Sequence, residues 1–298
     1  MQIFFNTLLV GLSSGAIYSL ISLSLVLVWR STRVVNFAAA GQAILATYVG
    51  YVAMSHLHNY WLSLPIALVA GALISASVGA LVMRPLAKRV KGTPVESIAP
   101  VIATLGVLGL IRSGVGLIWG NTFLQYTSPL SSKGYTIGHT TIPFSPLNAA
   151  IVIGSLIVLA IFALIFNFTR LGLSLRAASF QPEISRLSGI RVDRVRTIGW
   201  AFAGAAGAVA GTLVTPTTYL SPNSLDLLLV SGFVAAVIGG LESLIGAVIG
   251  GVVLGVGFAF ILQYIGTSVT FSSAFIILIA VLLLRPQGIF GRGGSREA

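Results

Sequence analysis

The sequence has no cysteine, so disulfides and thiolate metal sites are excluded. Charge is scarce too. Only 8% of its 298 residues are Asp, Glu, Lys or Arg, against about a quarter in an ordinary soluble domain. There are six acids (Glu96, Glu183, Asp193, Asp226, Glu242 and Glu297), and each lies near the end of an apolar run or between runs. A carrier driven by protons or sodium usually keeps an acid at mid-membrane; none is expected here. No Gly-Lys dipeptide occurs, which removes the phosphate-cradling loop of nucleotide hydrolases, and no His-Glu-x-x-His occurs either. His56, His58 and His139 fall in segments expected to be solvated external loops rather than a metal site.

Apolar sequence dominates what remains. Residues of the AVILMFWYC set make up 56% of the chain, more than the few polar residues could cover in water. The chain is therefore expected to be an all-α, polytopic integral membrane protein. A span needs about 20 residues, and the apolar runs fall near 3–29, 35–55, 62–83, 98–118, 148–168, 198–218, 227–240, 244–264 and 271–284. This predicts one transmembrane domain over 1–298 with roughly eight or nine helices. Two runs are irregular. The second opens on Val34-Val35-Asn36-Phe37 and a small-residue patch through Gly41 and Gln42, and 227–240 is short and ends in Gly239-Gly240. Both suggest broken or re-entrant helices, which a membrane tolerates only beside protein or a polar cavity.

The net charge of +11 is sided rather than general, so nucleic acid is not an expected partner. With alternating spans, one side collects Arg30 and Arg33, the 84–91 cluster, six arginines between 170 and 196, and Arg285, Arg292 and Arg296. That is 15 of the 17 cations, leaving Arg112 and Lys133 elsewhere. Basic loops are retained in the cytoplasm, which predicts an outside N-terminus and a cytoplasmic C-terminus. Arg112 is expected to snorkel to the outer interface rather than clamp a substrate carboxylate. Residues 119–146 read as an external loop with a small hairpin, and 169–196 as one or two short cytoplasmic surface helices.

In the first run Gly11, Ser14, Gly15, Tyr18 and Ser22 share one helical face. The face suits a close helix–helix seam, or a solute path in which Ser14 and Tyr18, with Asn36 and Gln42 from the broken segment, offer uncharged hydrogen-bonding groups.

Several motifs follow one another in a specific order: Val34-Val35-Asn36-Phe37-Ala38, Arg170-Leu171-Gly172 with Leu175-Arg176-Ala177, and Leu187-Ser188-Gly189-Ile190. The small-residue run Ala203 to Gly211, Ala235 to Ser243, Gly246 to Gly251 and Arg285 to Gly291 continue the series. Together they resemble the permeases of ABC importers for branched-chain amino acids, over nearly the whole chain. One departure is Phe180-Gln181-Pro182-Glu183-Ile184-Ser185, where the family has a more Ala- and Asp-rich helix. The resemblance implies a bacterial plasma-membrane permease subunit in contact with membrane lipid. Its implied partners are a second related permease, two cytoplasmic ATP-binding subunits and an extracytoplasmic solute-binding protein. The chain itself would hold no cofactor, since ATP is used by the partners, and would be no enzyme. Arg170, Arg176, Ala177, Gly189 and Ile190 would couple it to the ATPases. A stand-alone channel for small neutral solutes such as urea or amides is the alternative. An intramembrane enzyme would need a converging nucleophile, base or metal set, and none is visible.

The absence of native thiols allows a direct test of orientation. A cysteine introduced at Ser132 is expected to react with membrane-impermeant thiol reagents in intact cells, while one at Ser188 stays unlabelled. Labelling of Ser188→Cys from outside reverses the topology.

Overall fold

A computed structural model describes residues 1–137, 140–285 and 287–290. His139, Pro286, Gly291, Arg292, Arg296 and Glu297 lie outside the described residues. The helices are α1 Gln2–Thr32, α2 Ala39–Leu57, α3 Tyr60–Ser77, α4 Arg84–Val90, α5 Ala99–Trp119 and α6 Pro146–Phe168. They continue with α7 Arg170–Phe180, α8 Pro182–Leu187, α9 Val192–Val214, α10 Asp226–Gly239, α11 Leu244–Tyr264 and α12 Thr267–Leu284. Strands β1 Tyr135–Ile137 and β2 Thr140–Ile142 pair antiparallel, Tyr135 opposite Ile142, as the hairpin of the long loop.

Among the described residues, six helices are long and apolar enough to cross a membrane, counting α3 and α4 as one rod. The two irregular runs, α2 and α10, are not among them. The chain is thus an all-α polytopic bundle, with incomplete spans where glycine and polar residues interrupt the apolar pattern. Helix starts carry their own caps. Asn59 Oδ1 accepts from the Trp61 and Leu62 amides at 2.9 and 3.3 Å, and Ser145, Thr169 and Ser243 do the same for α6, α7 and α11. Each satisfies amides that a helix cannot pair internally.

The long third rod changes pitch on the way. Residues Val78–Met83 form a π-helical stretch between α3 and α4. It brings Gly79 against buried Trp200 of α9, where an added Cβ would lie 2.7 Å from the indole Cγ. Such a bulge shifts the helix face so that a bulky ring can seat. The basic segment also ends earlier than its composition suggests. Val192 already begins α9, and Arg84 donates to the Asp193 carbonyl and to Thr197 Oγ1, both at 2.6 Å, tying α4 to that first turn.

α1 and α9 are the buried centre of the bundle. α1 packs on α11, α9, α10 and α6, and α9 packs on α3, α1 and α2. The contacts run backbone to backbone. Cβ atoms added at Gly11 and Gly15 would lie 2.8 and 2.9 Å from the Cα atoms of Val256 and Val252. Ser19 Oγ lies 2.8 Å from both the Gly15 carbonyl and the Val248 carbonyl, linking the two helices within the apolar layer. At the far end, Tyr126 from the long loop meets Ser63 Oγ at 2.7 Å and the Tyr60 ring. Burial raises the Tyr126 hydroxyl above its ordinary pKa, outweighing the opposing Ser63 hydrogen bond. The same loop is pinned to the α9–α10 link by the Leu124–Leu220 bridge.

Gly106, Gly109 and Gly114 of α5, by contrast, have nothing within 4 Å of an added Cβ. Gly15→Val is therefore expected to destabilise the bundle by about 1–3 kcal/mol through overpacking, while Gly106→Ala leaves it unchanged or slightly firmer. Thermal melting of the purified protein in detergent distinguishes the two.

Candidate solute path and coupling face

The helix break between α1 and α2 is built from its own side chains. Arg33 adopts a left-handed conformation that ends α1, and the chain re-enters at Ala39. Asn36 Oδ1 accepts from the Ala38 amide at 3.1 Å, and its Nδ2 donates to Gln42 Oε1 at 3.2 Å. Asn36 is 1% and Gln42 2% exposed. Gln42 Nε2 has no hydrogen-bond partner among the described residues. A buried, half-satisfied amide is costly in a low-dielectric interior unless it is used. The Phe37 ring beside it meets Phe233 of α10, centroids 6.4 Å apart. The sequence-predicted pair is thus brought together, in the closed core between α2 and α10.

On α1 the glycines of the polar face lie in the seam with α11, while Ser14 and Tyr18 stand at its edge, half-buried. The Tyr18 ring packs edge-on against Phe258 of α11. Neither residue joins the Asn36–Gln42 pair in a hydrogen bond among those described.

One interaction was not visible in the sequence. Arg112 of α5 forms an ion pair with Asp226 in the first turn of α10. An acid at a helix N-terminus is stabilised by the helix dipole, and its carboxylate is also the nearest compensation for a guanidinium within the span. Side chains 32% and 37% exposed leave the pair partly open rather than in the core.

The opposite, basic end carries the short helices. Thr169 caps α7, and Gly172 lies directly on the Phe166 backbone at the end of α6. Leu175 and Ala178 anchor α7 inward against α9, while Arg170 and Arg176 face outward and Ala177 is half-buried. The Gln181-Pro182 step ends α7 and starts α8. Gly189, at φ +83, ends α8 in the left-handed region that favours glycine, and Ile190 returns its amide to the Ser185 carbonyl at 2.9 Å. Five large apolar side chains are left outside: Leu171, Leu173, Phe180, Ile184 and Leu187. The sequence read these helices from charge and proline, but not this exposed apolar row.

Among the described residues no group of three or more His, Asp or Glu is placed to hold a metal. Close-packed apolar helices around an uncharged amide pair, with a short helical hairpin displayed at the basic end, define a membrane permease subunit. The chain belongs to the family described as the permease component of the branched-chain amino acid transport system, whose model matches residues 7–284. A relative from Methanocaldococcus jannaschii, named a probable branched-chain amino acid transport permease protein LivH, is 30% identical, covering 94% of this chain and 91% of its own. The high-affinity branched-chain amino acid permease LivH of Escherichia coli K12 is 27% identical over 95% and 94%. BraD of Pseudomonas aeruginosa is 26% identical over the same shares.

The ion pair makes a prediction of its own. Arg112→Gln or Asp226→Asn alone leaves one charge uncompensated and should destabilise the protein by about 1–3 kcal/mol, discounted from the buried-pair cost for partial exposure. The double variant should be more stable than either single one in thermal melts. Additive losses show that the two groups do not interact.

Proposed function

We propose that this chain is one permease subunit of an ATP-driven importer for branched-chain or other amino acids. The observation that carries this reading is end-to-end similarity to permeases named for that transport. In this reading the subunit sits in the plasma membrane with its N-terminus outside and its C-terminus in the cytoplasm. It pairs with a second, related permease, two cytoplasmic ATP-binding subunits drive the pair, and an extracytoplasmic binding protein delivers the solute. ATP is bound by those subunits and not by this chain.

Force enters through α7, α8 and the Gly189 turn. The exposed Leu173, Phe180, Ile184 and Leu187 suit seating in an ATPase groove, while Arg170 and Arg176 orient the contact. Gly189 and Ile190 hold the hairpin's return to α9, and Ala177 keeps α7 close to the core. The solute passes along the α1–α2–α10 region, where Asn36 and Gln42 supply uncharged hydrogen bonds and Ser14 and Tyr18 border the seam. Uncharged groups hold a solute weakly enough to release it.

Uptake of leucine into proteoliposomes, with all subunits and the binding protein, should require ATP. Gly189→Val forces a β-branched residue into a left-handed turn and should abolish solute-stimulated ATPase activity and uptake without changing membrane insertion. Gln42→Leu leaves Asn36 Nδ2 unpaired at about 1–3 kcal/mol and should slow uptake more than Tyr18→Phe. Leucine or urea flux by this chain alone, without ATP, establishes the channel instead.

A further inference from the structure

Among the ion pairs of the described residues, Arg33–Glu242 and Arg186–Asp193 lie at the basic end. Arg112–Asp226 does not. Arg112 lies seven residues before Trp119, the end of α5, about 10 Å into the span at 1.5 Å per residue. Its neighbour Ile111 packs on α2, with its Cβ 3.5 Å from a Cβ added at Gly41. Arg112 is therefore level with the first turn of α2, which carries Gln42. The pair is partly exposed, and its contact is single. Arg112 Nη2 donates to Asp226 Oδ1, and neither head makes another side-chain hydrogen bond among the described residues. Arg112 Nε is buried without a partner, so one of five guanidinium donors is in use. Inward along the same helix faces stand Leu108 of α5 and Leu229 and Phe233 of α10, all partly buried. Phe233 then meets Phe37.

We infer that Arg112 and Asp226 form a recognition site for the zwitterionic head of an aliphatic amino acid. Arg112 takes the α-carboxylate, Asp226 takes the α-ammonium, and Leu108, Leu229 and Phe233 face the side chain. The inference rests on the importer reading above and locates its solute. Charges within a span are costly and mark function. A lone arginine would draw any anion and a lone aspartate any cation, whereas the pair has no net charge and offers both signs side by side. A solute whose own two charges sit one carbon apart completes a square of alternating charges and uses the idle donors and acceptors. A solute with one charge leaves the other member of the pair without compensation. Because the solute's contacts replace the pair's own, the net hold stays weak, as release requires.

The test compares leucine uptake with ATP hydrolysis in proteoliposomes holding the complete importer. Arg112→Gln and Asp226→Asn are combined, so that no charge is left unpaired. Solute-loaded binding protein should still stimulate ATP hydrolysis, while leucine taken up per ATP falls at least about tenfold through loss of hydrogen bonds to charged groups. A pair with a structural role alone regains uptake per ATP together with its stability, and that result overturns the site. A second measurement leaves the pair intact. Gly109 lies one turn from Arg112 on the same face, with nothing within 4 Å of an added Cβ, so Gly109→Cys adds a thiol to a chain that has none. Saturating leucine should slow its alkylation severalfold in the assembled complex. Isoamylamine and 4-methylpentanoate, each lacking one of the two charges, should not. An alkylation rate that leucine leaves unchanged, or that all three compounds slow alike, overturns the site, and this result decides where the double variant fails to assemble. Absence of leucine uptake by the unaltered complex refutes the importer reading instead, and the thiol measurement still tests the site.

Discussion

The backbone contact between α1 and α11 sets the positions of nearly everything else. Lipid chains are as apolar as leucine, so helices in a membrane gain little from hiding apolar surface against one another. They associate through close van der Waals fit and interhelical hydrogen bonds, and both need backbones to approach. Gly11 and Gly15 on α1, facing Gly251 and Gly255 on α11, remove the side chains that would prevent it. Ser19 then reaches the Val248 carbonyl across the seam. α9 repeats the device on the other side, with Gly204 against Gly71 of α3. Two seams leave α1 and α9 as a rigid centre, with α5, α6 and α12 arranged outside.

That centre also explains how one chain presents different ends. At the basic end, α10 stops at Gly239, and the Ile289 and Phe290 amides donate to its last carbonyls at 2.8 and 3.2 Å. α7 is anchored by Leu175 and Ala178 on the same centre, so a push on the short helices is delivered to α9 and α1. At the other end the long loop is held by Tyr126 and the Leu124–Leu220 bridge. Between the ends, Gln42 Nε2 in the first turn of α2 is one of several buried polar atoms without a partner among the described residues.

Much of this was legible in the chain. Apolar run lengths located the full spans, and glycine interruptions marked α2 and α10 as the incomplete ones. Turn residues announced the hairpin, and proline with arginine announced α7 and α8. These signals are local, written within a helix or a loop. The pairing of Arg112 with Asp226 was not legible, because the partners are 114 residues apart and each alone looks like a span-end charge. The same holds for Arg33 with Glu242, 209 residues apart. The π-helical stretch depends on Trp200, a neighbour in space only, and the small-residue spacing in α1 predicted a seam without naming its partner. Of the candidate path, the sequence marked Asn36 and Gln42 by their setting in a broken segment. That they bond each other required the fold.

The claim that α1 lies backbone-to-backbone on α11, rather than bordering open solute space at Gly11, has a direct chemical test. A Cβ built on Gly11 lies 3.1 Å from the Ala259 Cβ, close to the roughly 3.5–4.5 Å that a disulfide spans. The double substitution Gly11→Cys with Ala259→Cys, in a chain with no native cysteine, should cross-link to completion under mild oxidation in native membranes. Before oxidation both thiols should resist water-soluble alkylating reagents. Failure to cross-link, with both thiols readily alkylated from water, contradicts the seam and makes that face of α1 a wall of the path.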